Sequence, residues 1–183
     1  MEDIPQGLEK FIARQSRKLH LAKTWAGLAG LQPGMVIADI GCGTGILTQE
    51  YARMLGPDGV VYGVEQDAAL APGCAEAKDV RFLFQYYDSK LILEHMPDIL
   101  FLTDTLHHLP EPLAVLHCLR QACGPRTRLF IAEYDPDQPG LLGAKLHRRI
   151  PKPKLLAMLA AAGFRHEPII DAEDEHYAVI ARC

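Results

Sequence analysis

The chain's five cysteines are odd in number and form no C-x-x-C pair, so in 183 residues they supply neither a disulfide framework nor a zinc ribbon. Buried free thiols are the simpler assignment for Cys42, Cys74, Cys118, Cys123 and Cys183, and no metal site is expected. Long apolar runs are missing: nothing approaches the roughly 20 residues of a membrane-spanning helix. The opening "MEDIPQGLEKFIARQSRK" carries charges throughout and has no apolar core of signal-peptide length. A cytoplasmic protein with no membrane partner is the expectation. There is no internal repeat and no low-complexity tract. An excess of basic charge is absent as well, with 19 Lys and Arg against 23 Asp and Glu, and the net −4 disfavours a general nucleic-acid partner.

What is present is ordinary globular composition, 49% hydrophobic and 23% charged. The length suits one domain over residues 1–183, divided into an N-terminal helical cap (1–31) and an α/β core (32–183). The core alternates. "MVIADI" (35–40), "VVYGVE" (60–65), "VRFLFQ" (80–85), "DILFLT" (98–103) and "RLFIAEY" (128–134) are short apolar runs ending in turn residues, which predicts strands. "ILTQEYARML" (46–55) and "EPLAVLHCLRQA" (111–122) between them have helical spacing, and Pro72-Gly73 breaks a short helix over 66–79. "PKLLAMLAAAG" (153–163) begins with Pro and ends with Gly, the usual helical asymmetry. "PIIDA" (168–172) and "YAVIAR" (177–182) then pair as a closing β-hairpin with an antiparallel strand. The order predicts a doubly wound, mostly parallel α/β sheet with helices on both faces. Residues 7–31 precede it as a helical segment, its apolar stripe of Leu8, Phe11, Ile12, Leu19, Ala22 and Ala26 laid over the sheet and Trp25 in the core.

The stretch "DIGCGTG" (39–45) is the chain's chemical signature. A dinucleotide fingerprint is G-x-G-x-x-G, but here the sixth position is Ile46 and the third glycine comes one residue early at Gly45. No GK[ST] makes a phosphate loop. Asp39, two residues before the first glycine, would repel a pyrophosphate and attract an ammonium or sulfonium. A nicotinamide dehydrogenase is therefore disfavoured.

That combination resembles motif I of the class I S-adenosylmethionine-dependent methyltransferases, with "VIADIGCGTG" close to its usual form. Glu65 ends the second strand 20 residues after Gly45, where this family places an acid on the ribose hydroxyls. "PDILFLTDTLHHLPEP" (97–112) is similar to the family's fourth-strand segment, and "LLAMLAAAGF" (155–164) to its late helix and turn. The resemblance spans residues 30–183 and is nearest to the small-molecule branch that includes the ubiquinone and menaquinone biosynthesis enzymes. It departs at "CGPR" (123–126) and at "FQYYDSK" (84–90).

The resemblance implies a Rossmann-like sheet, S-adenosylmethionine as cofactor and S-adenosylhomocysteine as product. It also assigns residues. Asp39 would take the ammonium, the backbone N–H groups of Gly41, Cys42, Gly43 and Gly45 the carboxylate end, and Glu65 the ribose diol, with Gln66 and Thr103 completing the set. Asp88 would meet the adenine amino group, with Tyr86 or Tyr87 as ring-packing alternatives. Methyl transfer is an in-line displacement in which positioning supplies much of the rate, and a base is needed only when an O, N or C acceptor must lose a proton. Asp104, His107, His108, Glu133, Tyr134 and Asp135 follow strands four and five, and Asp104, His107 and Tyr134 are the catalytic candidates. Of Glu133 and Tyr134 only one side chain can face the crevice.

Two windows, "RQSRKLHLAK" (14–23) and "KLHRRIPKPK" (145–154), hold nine of the 19 Lys and Arg and no acid. In the resembled family these segments cover the acceptor pocket, which points to an anionic small-molecule acceptor. A homodimer through a strand edge or the N-terminal helix stays open. A non-catalytic S-adenosylmethionine-binding subunit or sensor is the alternative to a methyltransferase, since a fold and its cofactor site do not guarantee turnover.

Overall fold

The computed structural model describes residues 6–70 and 80–183. The chain begins with two helices, α1 (Gln6–Ser16) and α2 (Leu19–Ala29), followed by β1 (Val36–Ile40), α3 (Ile46–Leu55), β2 (Val60–Glu65) and β3 (Arg81–Phe84). Next come β4 (Ile99–Thr103), α4 (Pro112–Ala122), β5 (Arg128–Tyr134) and α5 (Lys152–Ala161). Short strands β6 (Arg165–His166) and β7 (Ile170–Asp171) precede the long β8 (His176–Arg182). The predicted helix break at Pro72-Gly73 and Cys74 lie outside the described residues.

The strands form one sheet in the order β3-β2-β1-β4-β5-β8-β6, with β7 pairing to β8. β1 to β5 are parallel, and β8 runs antiparallel to β5 from Arg128↔Arg182 to Tyr134↔His176. The expected closing hairpin is present, Ile170 pairing Ala178 and Asp171 pairing Tyr177. Strand β6, antiparallel to β8, is an addition. Its two residues are both exposed, so no apolar pattern announces it.

Alternation along the strands divides the core into two layers. Ile37, Val61, Phe101, Phe130 and Ile180 pack against α2 and α3, while Ala38, Val64, Leu102, Ile131 and Val179 pack against α4 and α5. Pro112, in the first turn of α4, has its missing N–H where a helix needs none. On α2, Leu21, Ala22, Trp25, Ala26 and Ala29 are buried, and Trp25 is a core residue as expected.

The N-terminal segment differs from the single stretch that periodicity predicts. It breaks at Arg17-Lys18, where the Lys18 N–H bonds back to Gln15 O. The two helices then do different work, α2 covering the sheet face and α1 lying against the loop after β1. The break lets Lys18 reach Asp104 beyond the end of β4. Order reverses between β1 and β4, and the crevice at their carboxyl ends is where open α/β sheets take ligands.

Candidate functional site

A cavity of about 420 Å³ lies in that crevice, within the range of about 300–1,000 Å³ usual for small-molecule sites. Asp39, Gly41, Cys42, Gly43, Glu65, Gln66 and Thr103 line it, as do Asp104, His107, His108 and Tyr134. Two expected cofactor residues do not. Gly45 is the left-handed residue (φ 75°) that opens α3, its N–H bonded to Cys42 O at 3.0 Å. Asp88 is exposed and stands outside the lining, because β3 ends at Phe84 and only Tyr87 of the following residues turns inward. Tyr86 is 69% exposed, whereas Tyr87 is 2% exposed and lines the cavity.

The glycine loop corrects a second expectation. Its backbone N–H groups do not stand free. Gly41 and Cys42 both donate to Val64 O, Gly43 to Glu65 Oε2 at 2.9 Å, and Thr44 to Gln15 Oε1 at 3.1 Å. Gly43 adopts φ +60°, and a Cβ there would overlap Gln15 Nε2 and come within 2.9 Å of Phe11 Cε1. The bare backbone at this position therefore admits α1.

Two buried carboxylates line the cavity. Glu65 is 7% exposed and, besides Gly43, accepts the N–H groups of Gln66 (2.8 Å) and Asp67 (3.0 Å) through Oε1. Asp39 is 2% exposed; Oδ2 accepts the Thr48 hydroxyl at 2.6 Å, and among the described residues Oδ1 has no partner. Burial raises the Asp39 carboxyl from 3.8 to about 6, against the lowering effect of Thr48 and with a smaller push from Glu65. A buried carboxylate with an open oxygen, facing a ligand-sized cavity, fits a cationic group. The donor set therefore fits S-adenosylmethionine.

The residues at and just after the ends of β4 and β5 form a network. Asp104, a non-glycine residue at φ 51°, pairs with Lys18 and receives His176 Nε2 at 2.9 Å. Burial alone would raise its carboxyl, but the His176 hydrogen bond and the Lys18 charge hold it down at about 2. Glu133, fully buried, accepts the N–H groups of Thr105 (3.1 Å) and Leu106 (2.7 Å) through Oε1, and meets His107 Nδ1 at 2.6 Å through Oε2. Of the two neighbours at the end of β5, Tyr134 is the one that lines the cavity. Its ring lies 4.0 Å from that of His176, with Lys18 and Arg149 over its faces. His107 and His108 sit in a 3₁₀ turn with rings 4.0 Å apart, and among the described residues no metal-binding cluster exists.

Several lining residues lie outside the site residues named from sequence, among them Phe11, Arg14, Gln15 and Lys18, at helical spacing along and just past α1. Their signals in the sequence are that i, i+3, i+4, i+7 pattern and, for Arg14 and Lys18, the basic window. The first basic window thus reaches the cavity through Arg14 and Lys18. Among the described residues none of the second window lines it. Arg149 is buried and structural, donating to the carbonyls of Ala144 and Asp135 and to Glu175 Oε2 at 2.7 Å. Lys152 pairs with Asp135 at 2.7 Å and with Asp171 at 3.1 Å, leaving Arg148 as an exposed rim residue. Asp135 is thereby accounted for in the framework and does not line the cavity.

A family model described as a methyltransferase domain matches residues 9–176. The ubiquinone/menaquinone biosynthesis C-methyltransferase of Teredinibacter turnerae is 31% identical over 122 residues, 63% of this chain and 49% of that protein. The aligned part is thus about half the length of that curated relative. A solved S-adenosylmethionine-dependent methyltransferase of Aquifex aeolicus shares the fold, with a TM-score of 0.85 over 98% of each chain at 22% identity. Magnesium protoporphyrin IX methyltransferase from Synechocystis, solved with bound S-adenosylhomocysteine, superposes with a TM-score of 0.68 over 100% of this chain and 89% of its own, at 17% identity. With the glycine loop, the buried Asp39 and the match over residues 9–176 taken together, the chain belongs to the methyltransferase domain family, as a class I S-adenosylmethionine-dependent member.

Proposed function

We propose that the chain moves a methyl group to an O, N or C atom of a small, anionic acceptor. The observation that carries this reading is that one cavity is lined by buried acids and by basic side chains. Asp39, Glu65 and Asp67 line it, with Asp39 suited to a cation, together with Arg14, Lys18, His108 and Tyr134; Lys18 is paired with Asp104, which leaves Arg14 as the lining cation with no ion-pair partner among the described residues. Bound S-adenosylmethionine supplies an activated methyl group on sulfur. Asp39 and Glu65 would hold and orient that group's carrier within the cavity. Residues 1–31 act as the cap of this site and 32–183 as its core, one domain.

Where the acceptor must lose a proton, His107 is the residue to take it. Its Nδ1 is held by Glu133, which fixes the tautomer and leaves Nε2 as the basic atom. Glu133 acts through His107 and is a positioning residue. Asp104, the first candidate from sequence, is committed to Lys18 and His176 and serves to hold α1 closed over the site. Burial, then the Asp104 charge, raises the Tyr134 hydroxyl well above the ordinary phenol range, so Tyr134 is a donor at neutral pH.

Calorimetric titration with S-adenosylhomocysteine tests the reading, repeated on Asp39→Ala and Glu65→Ala with NADH as control. Micromolar binding lost in both variants, with NADH silent, supports it. No binding by the unaltered protein removes it. Formation of S-adenosylhomocysteine from supplied acceptors then separates an enzyme from a binding subunit.

A further inference from the structure

Most basic side chains around the cavity already have partners. Lys18 is taken by Asp104, Arg149 by Glu175 and three carbonyls, and Lys152 by Asp135 and Asp171. Arg14 is the exception. It lines the cavity, contacts the Phe11 ring at 5.2 Å, and has no ion-pair partner among the described residues. Its charge is felt at both the His108 and Tyr134 rings, and Arg148 adds to it at His108.

Tyr134 provides an independent observation. The residue is 4% exposed and lines the cavity, and among the described residues its hydroxyl makes no hydrogen bond. Gly143 lies directly over that ring, so close that a Cβ would collide with the ring carbons and the hydroxyl. The hydroxyl opens into the cavity as a donor with no protein acceptor among the described residues, and the group it can take is an oxygen.

We propose that Arg14, the Tyr134 hydroxyl and His108 form an oxyanion subsite that grips a carboxylate or phosphate of the methyl acceptor, with Arg148 contributing charge at the rim. The inference rests on the methyltransferase reading, because it names the acceptor's chemical class. Guanidinium, phenol and imidazole are three directional N–H or O–H donors lining one cavity, with Arg14 close enough for its charge to act on both rings. Burial of the ring, followed by the charges of His107, Arg14 and Arg148, lowers His108 to about 4, so at neutral pH it is an uncharged donor beside the arginine. Asp104 lines the same cavity and its charge bears on both rings, but it is held by Lys18 and His176, so Arg14 is the cation left for an anion.

The test uses inorganic phosphate, benzoate and neutral benzamide as probes, titrated into protein saturated with S-adenosylhomocysteine. The His108 ring resonances report the binding. Phosphate or benzoate should shift those resonances and bind in the millimolar range, while benzamide should not. Arg14→Gln and Tyr134→Phe should each weaken the anion tenfold or more; Tyr134→Phe keeps the ring and removes only the hydroxyl. Arg17→Gln removes the same charge from an exposed position outside the lining and should leave binding unchanged. Three outcomes overturn the subsite: no anion binding, equal affinity in Arg14→Gln and Tyr134→Phe, or an equal loss in Arg17→Gln. The cofactor titration separates the two levels. If S-adenosylhomocysteine binds and the anions do not, the subsite fails alone; if S-adenosylhomocysteine does not bind, the methyltransferase reading fails and the acceptor assignment with it.

Discussion

At the scale of single residues, Asp39 carries the sharpest consequence. Its carboxyl titrates near 6 in the folded protein against an ordinary 3.8, so the charged form is the one the fold disfavours. The penalty is absent below pH 4, grows as pH rises, and is complete above 6, reaching about 3 kcal/mol at about 1.4 kcal/mol per unit. Urea unfolding of Asp39→Asn and unaltered protein should therefore diverge across that window, with the variant gaining relative stability as pH rises. A cationic ligand reverses the preference. Affinity for S-adenosylmethionine should climb with pH up to neutrality, by at most about tenfold per unit below pH 6, and Asp39→Asn should flatten the profile in calorimetry. Asp104 has the opposite sign, since its carboxyl is held near 2 and its contribution is present above 3.8 and lost as pH falls toward 2.

At the scale of elements, α1 is joined to the core by few but specific contacts. Gln15 bonds both the N–H and the hydroxyl of Thr44, Lys18 bonds Asp104, and Phe11 lies against Gly43. Gln15→Ala should lower amide protection in α1 by about 1–2 kcal/mol, measured by hydrogen exchange, while α2 keeps its protection through buried Trp25. Equal losses in both helices would mean that they open as one unit. The segment between β5 and α5 depends on a single side chain. Arg149 holds the carbonyls of Asp135, Leu142 and Ala144 and the Glu175 carboxylate, so Arg149→Ala leaves several buried acceptors unmatched. A loss of about 3–5 kcal/mol in chemical unfolding is expected. Proteolysis near Gly143 should become faster, because the Arg149 contacts seat that glycine on Tyr134.

At the scale of the whole molecule, cofactor binding couples to folding. The acids and loop that would hold it come from the ends of β1 and β2, which only the assembled sheet brings together. S-adenosylhomocysteine at a hundred times its dissociation constant should stabilise the protein by about 2.7 kcal/mol, a rise of about 5–10 °C in Tm for a chain of this size. Glu65→Ala should abolish the rise in a thermal melt, and a retained shift would place the ligand elsewhere. Among the described residues no helix is long and apolar enough to cross a membrane.

The sequence alone determined the elements that carry a local signal. Apolar runs of four to seven residues gave β1 to β5, Pro and Gly punctuation bounded α4 and α5, and "DIGCGTG" with Glu65 marked the crevice and the charge of its ligand. Those features depend on neighbours in the chain. What only the tertiary structure decided depends on residues far apart. The glycine loop's N–H groups are met by Glu65 and Gln15, 22 and 29 positions away, which no local pattern reports. Asp104 and Tyr134 looked alike as polar groups after adjacent strands, yet Asp104 is neutralised by Lys18 and His176 while Tyr134 keeps an open hydroxyl. The resemblance put Asp88 at the adenine with Tyr86 or Tyr87 as alternatives; β3 ends at Phe84, Asp88 is exposed beyond it, and Tyr87 lines the cavity. Periodicity records which face of a segment is buried; which partner a buried charge finds is set by the packing of α1, the 139–149 segment and β8 around one cavity.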